Sequence, residues 1–182
     1  MIRFLIVLML FVVCCPVLGQ TIILDEDKPT ITGFWNKTDT PDAYHGSYLT
    51  TVSGAENTSS CTWSTLLPMD GLYQLSIFIG SGANRSERAP YTVTYSNGET
   101  LTFLVNQIYS PSDWFPIGDP LPYLSTSSAQ VQLTNGTGED SKSIIADAIR
   151  YDYITPVPEP SGLIAIFSGI GGIFLTTRKL KR

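Results

Sequence analysis

The segment Gly71-Leu72-Tyr73-Gln74-Leu75-Ser76-Ile77-Phe78-Ile79 decides the fold class. Its odd-numbered positions from 73 onward are apolar, and polar residues stand between them at 74 and 76. Strand side chains point alternately to opposite faces, so this period of two predicts a strand with one buried face. The alternation recurs around Val131 and Leu133, and no stretch between residues 20 and 156 has a convincing 3.6-residue apolar repeat. Because turn residues separate these runs, we predict an all-β, jelly-roll-like antiparallel β-sandwich.

The sequence Ser96-Asn97-Gly98 predicts the register of one hairpin. Apolar residues precede it at Tyr91 and Val93 and follow it at Leu101 and Phe103. A two-residue Asn-Gly turn would place apolar side chains opposite polar ones. A three-residue loop with Gly98 in the left-handed conformation instead opposes position 93 to 101 and 91 to 103. Residues that lie directly opposite share a face, so burial favours the three-residue loop.

The composition limits the size and the partners of the protein. The chain has 182 residues, of which 15% are charged and 43% hydrophobic, as is typical of one globular domain rather than a disordered tail. Residues 20–158 contain six basic and fifteen acidic side chains, a net charge of −9. This charge disfavours phosphate backbones as ligands, so nucleic-acid binding is excluded.

The N-terminal segment has the pattern of a secretory signal peptide. Arg3 precedes an apolar run from Phe4 to Val13, and small residues follow at Val17 and Gly19. We predict export by the Sec machinery and cleavage by signal peptidase after Gly19, which makes residues 1–19 the signal peptide. The alternative is an uncleaved anchor, but the run is shorter than the ~20 residues that span a bilayer.

The C-terminal segment has the pattern of a membrane helix. Residues 161–177 carry no charge, and Arg178, Lys179, Lys181 and Arg182 follow them. Seventeen helical residues extend about 25 Å, at the short end of what spans the hydrocarbon layer. The basic terminus would stay in the cytoplasm, which places residues 20–156, the predicted domain, outside.

A short motif precedes this helix. Val157 is followed by Pro158, Glu159 and Pro160, and the two prolines keep the segment extended and outside the helix. The motif, the short apolar helix and the basic terminus together resemble the PEP-CTERM sorting signal, over residues 157–182. The resemblance implies transient insertion in the inner membrane, processing by an exosortase near the motif, and release to the cell surface or matrix.

One cysteine, Cys61, remains in the predicted mature chain, so no internal disulfide is expected. It alternates with polar residues on the same face as Trp63. A buried, unreactive thiol is therefore predicted, and an intermolecular bridge is the alternative.

Asp147 lies in an apolar stretch, residues 143–151, on the same face as Ile145, Ile149 and Tyr151. If that face points inward, the carboxylate needs hydrogen-bond donors or a cation. The first strand often neighbours the last in jelly rolls, which would bring Asp25 or Asp27 near Asp147. A structural calcium site is one hypothesis, and backbone hydrogen bonds or an arginine partner are the alternatives. No other cofactor is predicted.

Surface aromatic residues are the candidates for binding. Sugar rings present apolar C–H faces that stack on flat aromatic side chains. The first group of candidates is Tyr109, Trp114 and Phe115, and the second comprises Trp35, Tyr44 and Tyr48. Core packing is the alternative for all of them, and we expect Trp63, Tyr73 and Trp35 to be buried.

No catalytic residues are predicted. His45 is the single histidine, and the chain lacks Gly-x-Ser-x-Gly, His-Glu-x-x-His and phosphate-loop motifs. A structural or surface role is therefore predicted for His45.

Residues 21–154 resemble the golvesin C-terminal-like domain, which is similar to the carbohydrate-binding-like domain of xanthan lyases. The resemblance implies a jelly-roll-like sandwich without catalytic residues. It depends on short matching segments in preserved order, at residues 22–25, 33–35, 44–48, 61–63, 71–75, 88–93, 105–107, 114–118 and 145–150.

Two functional hypotheses follow. The first is a non-catalytic, exported protein of the cell surface or exopolysaccharide matrix that binds polysaccharide through a shallow aromatic surface. The alternative is a structural or adhesive surface module whose partner is another protein.

Overall fold

The computed structural model describes residues 19–80, 82–108 and 112–157. These residues form β-strands joined by turns, and the helical segments among them are two short 3-10 turns, Tyr44–Gly46 and Ser96–Gly98. Within the described ranges, no helix has the length and apolar composition needed to cross a membrane. The predicted C-terminal helix and residues 1–18 of the predicted signal peptide lie outside the described residues.

Thirteen strands are present in the described part of the chain. In chain order they are β1 (Thr21–Leu24), β2 (Thr30–Thr32), β3 (Asn36–Asp39), β4 (Ser47–Val52), β5 (Ser60–Leu66), β6 (Gly71–Ile79), β7 (Ala89–Tyr95), β8 (Glu99–Val105), β9 (Asp113–Pro116), β10 (Leu121–Tyr123), β11 (Ser128–Thr134), β12 (Ser143–Ala146) and β13 (Ile149–Thr155).

The strands form three antiparallel sheets. The first sheet has the order β1-β13-β6-β10, and β9 also pairs with β6, beyond the part of β6 that pairs with β10. The second sheet has the order β2-β5-β11-β7-β8, and the small third sheet has the order β12-β4-β3. The all-β antiparallel prediction is confirmed, and so is the expected pairing of the first strand with the last. The separate third sheet was not anticipated.

The inner faces of the sheets share one hydrophobic core. β6 contributes Tyr73, Leu75, Ile77 and Ile79, each at most 2% exposed, as the alternation in its sequence predicted. The buried residues of β5 include Cys61 and Trp63, also as predicted. Burial raises the pKa of the Cys61 thiol to about 12, so this thiol is unreactive in the folded protein. Trp35 differs from expectation, since it is only half-buried.

The hairpin of β7 and β8 has the predicted register. Val93 pairs with Leu101 and Tyr91 with Phe103, and Gly98 has a φ of +81°. Asn97 also has a positive φ, of 60°, a conformation that asparagine tolerates better than most residues. β8 lies at the edge of the second sheet, and for this reason Leu101 remains 41% exposed although its partner is fully buried.

The expectation of one continuous strand around Asp147 was wrong. β12 ends at Ala146 in the third sheet, and β13 begins at Ile149 in the first sheet. Asp147 and Ala148 form the corner between them, where the Ala148 carbonyl accepts a hydrogen bond from the Phe78 N–H at 2.8 Å. Every residue from Ile144 to Ile149 is buried, because the chain passes from one sheet to another through the core. Asp147 itself is 2% exposed.

A buried glutamine connects the second and third sheets. The Gln107 amide N–H group donates to the Tyr91 hydroxyl at 3.0 Å and to the Ile145 carbonyl at 2.8 Å. Its amide oxygen accepts from the Ile145 N–H at 3.0 Å, and the whole residue is excluded from solvent. Gln107 therefore bonds buried polar groups of β7 and β12, of which the Tyr91 hydroxyl and the Ile145 carbonyl also bond each other at 3.3 Å.

Candidate functional site

The 3-10 turn Tyr44–Gly46 is held by two carboxylates. The Tyr44 N–H donates to Oδ2 of Asp147 at 3.1 Å, and Nδ1 of His45 lies 2.8 Å from Oδ2 of Asp25. His45 has a φ of 52°, in the left-handed region that non-glycine residues seldom adopt. The two carboxylate contacts thus fix a turn whose backbone would otherwise be unfavourable.

Three aromatic side chains meet beside this turn, and we call Tyr44, Phe78 and Trp114 the aromatic cluster. The ring centroids are 5.1 Å apart for Tyr44 and Trp114, 5.6 Å for Tyr44 and Phe78, and 5.5 Å for Phe78 and Trp114. The ring planes cross at steep angles, the arrangement that aromatic quadrupoles favour. Phe78 and Trp114 are direct partners in the β6–β9 pairing, and all three residues are half-buried on the outer face of the first sheet.

Arg150 of β13 covers part of this cluster. Its guanidinium carbon lies 4.6 Å from the centroid of the Trp114 ring, within the range of a cation–π contact. The Arg150 Nε–H donates to Asp152 at 2.7 Å, and the other carboxylate oxygen of Asp152 accepts from the Thr21 hydroxyl at 2.7 Å. The bond to Asp152 thereby holds the guanidinium over the indole, on the outer face of the first sheet.

A groove adjoins the aromatic cluster at the turn, and we call it the acidic groove. Its volume is ≈ 470 Å³, and its lining residues are Ile23, Asp25, Glu26, Asp27, Lys28, Lys37, Tyr44 and His45. Lys37 lies 3.0 Å from Glu26, and Lys28 lies 2.6 Å from Asp27. The groove thus combines carboxylates and ammonium groups that are paired locally, and Tyr44 and His45 separate it from the other rings of the cluster.

Three carboxyl groups around the turn have shifted pKa values. Burial raises the pKa of Asp147 to about 8, although the hydrogen bond from the Tyr44 N–H acts in the opposite direction. Burial and the neighbouring Glu26 raise the pKa of Asp25 to about 6. Burial also acts to raise the pKa of Glu26, but hydrogen bonds from Asp25, Ser47 and Lys37 outweigh it and lower the value to about 2. At neutral pH Asp147 is therefore mostly a neutral acid, whereas Glu26 is an anion.

The carboxylates proposed for calcium are engaged separately. Asp25 lies against His45 and Asp27 against Lys28, and Asp147 accepts from the backbone while its Oδ1 has no hydrogen-bond partner among the described residues. Among residues 19–80, 82–108 and 112–157, no group of three or more His, Cys, Asp or Glu side chains is arranged to hold a metal ion. Calcium binding requires six to eight converging oxygens, so this donor set does not fit the ion, and calcium remains a prediction from the sequence.

The structure brings together only part of the predicted aromatic set. Tyr44 and Trp114, from different predicted groups, are in contact. Phe115 is 51% exposed but points to the opposite side of β9, because neighbouring strand residues alternate. Tyr48 is 8% exposed, and its hydroxyl accepts from the Arg85 guanidinium at 2.8 Å, so its ring belongs to the core. Tyr109 lies outside the described residues, as do Pro158, Glu159 and Pro160; Gly19 is described and exposed.

Phe115 instead borders a second, apolar groove. This groove has a volume of ≈ 490 Å³ and is lined by residues 103–106 of the β8 region and 115–118 of the β9 region. It lies where the edge strand of the second sheet approaches the first sheet. Leu104 in this groove is 58% exposed.

Sequence reasoning missed two members of the site, Phe78 and Arg150. Phe78 occupies an outward position of β6 between buried residues, so the alternation already assigns it to the solvent side. A large apolar residue at an outward position was the available signal. The position of Arg150 over an aromatic ring depends on the β13–β6–β9 pairing, which no local pattern indicates.

The fold is shared with carbohydrate-binding modules. A family 35 carbohydrate-binding module from Clostridium thermocellum superimposes with a TM-score of 0.52 and 11% sequence identity, over 71% of this chain and 97% of that module. At this identity the likeness establishes the class of fold, an antiparallel β-sandwich of the carbohydrate-binding-module type.

Residues 21–153 match the Golvesin C-terminal domain, and the chain belongs to this family. Golvesin from Dictyostelium discoideum is 26% identical over 151 residues, which are 82% of this chain and 25% of golvesin. The structure of a Paenibacillus xanthan lyase superimposes with a TM-score of 0.64 and 27% identity, over 76% of this chain and 13% of the lyase. The chain therefore spans a quarter or less of the length of these relatives.

Proposed function

We propose that this protein is an exported, non-catalytic module that binds polysaccharide at the aromatic cluster and the adjoining acidic groove. The observation that carries the proposal is the contact of Trp114 with Tyr44 and Arg150 on an open sheet face beside a groove. Its similarity to a segment of a xanthan lyase, and its carbohydrate-binding-module fold, support the same class of ligand.

The chemistry of this surface suits a sugar chain. The exposed parts of the aromatic cluster offer apolar surface to C–H groups, whereas Arg150 donates and the groove carboxylates accept hydrogen bonds from hydroxyl groups. Because several of these polar groups are already held by neighbours, a ligand would meet them with little further loss of side-chain entropy. Tyr44 belongs to both regions and would connect a sugar on the cluster with the next one in the groove.

The environment of His45 supports a binding role rather than a catalytic one. Its side chain is 70% exposed, and its carboxylate partner Asp25 belongs to a groove that is open to solvent. General acid–base catalysis needs a positioned base next to the reacting group and a site that excludes water. The Ser47 hydroxyl, two residues away, donates to Glu26 at 2.6 Å rather than to the imidazole.

Retention of the full-length protein on a panel of insoluble polysaccharides tests the proposal. We expect Trp114→Ala to weaken retention about tenfold, because truncating a central aromatic anchor commonly has this effect. The matched control is Phe34→Ala, since Phe34 is a 68% exposed aromatic residue between β2 and β3, outside the aromatic cluster. Equal retention of the two variants, with circular dichroism showing that both are folded, would show that the aromatic cluster does not bind the polysaccharide.

Export and anchoring form the second part of the proposal, which the sequence pattern supports. Signal peptidase would cleave after Gly19, the segment 161–177 would hold the precursor in the inner membrane, and an exosortase would cut near Pro158, Glu159 and Pro160. Mass spectrometry of the protein recovered from the cell surface and matrix tests this directly. A mature chain that begins at Gln20 and ends near the motif is expected, whereas a chain retaining residues 161–182 in the membrane would contradict processing.

The apolar groove favours a second candidate function, adhesion to another protein. Leu104 and Phe115 expose apolar surface at this groove, and such surface more often contacts proteins than sugars. If no polysaccharide retains the protein, a Leu104→Asp variant that loses attachment to cells while wild type attaches would favour this candidate.

A further inference from the structure

The middle of the outer face of the second sheet consists of hydroxyl and amide side chains in register across the strands. The longest row crosses all five strands through Thr30, Thr62, Gln132, Thr92 and Thr102. A second row crosses four strands through Ser64, Gln130, Thr94 and Thr100, and a third contains Thr32, Ser60 and Thr134. We call these three rows the hydroxyl–amide face.

None of the twelve residues in these rows is charged or aromatic. The chain between residues 20 and 158 nevertheless carries fifteen acidic and six basic side chains, so the charges lie elsewhere on the surface. A face without charge gives no electrostatic attraction to an ionic partner. The rows also contain no large apolar side chain; the exposed Leu66 and Leu104 of this face lie outside them, at its margins, so the rows themselves lack the anchors that protein interfaces use.

The side chains in the rows hold one another in place. The Gln130 amide donates to the Ser64 hydroxyl at 3.1 Å, and the Gln132 amide donates to the Thr62 hydroxyl at 3.2 Å. The hydroxyl groups of Thr92 and Thr102 lie 3.0 Å apart. Each hydroxyl has one donor and two acceptor positions, so these bonds leave capacity for a ligand. The rows therefore present donors and acceptors whose positions are already restricted before binding.

The spacing of the face is set by the sheet. Adjacent strands lie about 4.8 Å apart, so the five-strand row extends over roughly 19 Å, and successive rows are about 7 Å apart along the strands. An extended ligand with many hydroxyl groups can contact such a face at several points at once. Each hydrogen bond is individually weak in water, so recognition depends on the number formed together.

We propose that the hydroxyl–amide face is a second binding surface, whose ligand is an uncharged polysaccharide. It belongs to the sheet opposite the aromatic cluster, so one molecule would bind two polysaccharide chains and join them. This inference goes beyond the proposed function, because it concerns other residues and can hold whether or not Trp114 binds sugar.

Two variants of the full-length protein test the face itself. Thr62→Val, Thr92→Val and Thr102→Val together remove three hydroxyl groups while keeping side-chain shape and strand propensity. Gln132→Lys places a charge at the centre of the long row. The matched control is Thr126→Lys, because Thr126 is exposed in the turn before β11 and lies outside the rows. All are compared in wild-type and Trp114→Ala backgrounds, on an insoluble uncharged polysaccharide at low and high salt.

In the Trp114→Ala background, we expect the triple variant and Gln132→Lys to bind at least tenfold more weakly than their parent. Thr126→Lys should bind like its parent, and the parent's binding should not depend on salt. Unchanged binding of both face variants would overturn the inference. If the single substitution Trp114→Ala abolishes retention, no second surface binds, so the inference fails and the proposed function stands. If Trp114→Ala retains full binding and only the variants of the hydroxyl–amide face lose it, the proposed function fails and the inference stands.

Joining of chains has its own measurement. Wild-type protein should make suspended polysaccharide particles clump, as seen by light scattering, and variants of either face should bind without clumping. A second copy of the protein is the competing occupant of the face. A dimer in sedimentation velocity that Gln132→Lys dissociates would overturn the assignment to polysaccharide.

Discussion

The two outer faces of the sandwich differ in chemistry although they are built on the same core. The face of the first sheet carries rings, a guanidinium and carboxylates, and several of its groups have shifted pKa values. The face of the second sheet carries hydroxyl and amide groups paired in rows. Strand pairing and alternation alone would permit either chemistry on either sheet, so the fold does not require this difference.

The energetic roles of the faces should differ accordingly. The groups of the first face reach into the protein, since Asp147 is buried beneath the Tyr44 turn and Arg150 covers Trp114. The rows of the second face contact mainly one another. Substitutions should therefore affect stability most in the shared core, less in the first face and least in the second.

The largest effect is expected for Gln107→Ala, which removes hydrogen bonds between the second and third sheets inside the core. The substitution removes the Gln107 bonds to the N–H and the carbonyl of Ile145 inside the core, and the carbonyl keeps only the 3.3 Å bond from the Tyr91 hydroxyl. We expect a loss of about 3 kcal/mol in the free energy of unfolding, measured with urea. The control is Asn106→Ala, at an exposed neighbour, which should cost less than ~1 kcal/mol. A similar small loss for both variants would show that Gln107 does not connect the sheets.

The pH dependence of stability should come from the first face. Since the pKa of Asp147 is about 8 in the folded protein and near 3.8 when unfolded, the folded state binds more protons between these values. Stability should therefore fall as pH rises from about 4 to 8, and Asp25 adds a change of the same sign up to about pH 6.

Asp147→Asn should remove most of this slope and stabilise the protein at pH 8 by ~2 kcal/mol or more, as measured by urea unfolding at several pH values. Asp119→Asn, at an exposed carboxylate, is the matched control and should leave the slope unchanged. A wild-type stability that rises across this range would contradict the assignment to Asp147.

A smaller effect is expected from Arg150→Met, which tests the contact between the cation and the indole. The variant keeps a long apolar side chain but loses the charge over Trp114 and the bond to Asp152. Stability should fall by about 1 kcal/mol. In the Trp114→Ala background the same substitution should cost about half as much, because the cation–π contact is already absent. Identical costs in the two backgrounds would show that the ring and the guanidinium are not coupled.

The smallest effect is expected from Gln132→Ala in the hydroxyl–amide face. It removes one half-buried hydrogen bond to Thr62, and we expect a change below ~0.5 kcal/mol in the free energy of unfolding. A loss above about 1 kcal/mol would mean that the row stabilises the sheet itself, and the contrast between the two faces would weaken.

Much of the fold could be predicted from the sequence because its signals are local. Tyr73 to Ile79 alternate on one strand, and the Ser96-Asn97-Gly98 loop determines which residues of β7 and β8 can share a face. The corner at Asp147 was missed because both faces are buried where the chain changes sheets, so alternation gives no boundary. The third sheet was missed because it pairs residues 47–52 with residues 143–146, and no local pattern indicates which distant strands pair.

The site was less predictable than the fold. Tyr44 and Trp114 were candidates separately, but their contact joins residues 70 positions apart, because the 3-10 turn of Tyr44 lies against β9. Tyr48 was a candidate on composition, yet its ring is buried under Arg85, a residue 37 positions away that also donates to its hydroxyl. The hydroxyl–amide face was visible only as scattered Ser, Thr and Gln residues, because their alignment in rows depends on the register of five strands.

The pairing of β1 with β13 has a mechanical consequence. Thr21 pairs with Asp152, and the Gln20 carbonyl accepts from the Tyr153 N–H. The first and last residues of the domain therefore lie at the same end of the β1–β13 pair. Tension applied between residues 20 and 156 would open this pair one hydrogen bond at a time, like a zipper, with little resistance. If the force instead acts between one chain end and a bound sugar chain, it is carried by the other strand pairings of the sheet as well. A molecule attached by one end would therefore withstand more pulling force than one stretched between its two ends.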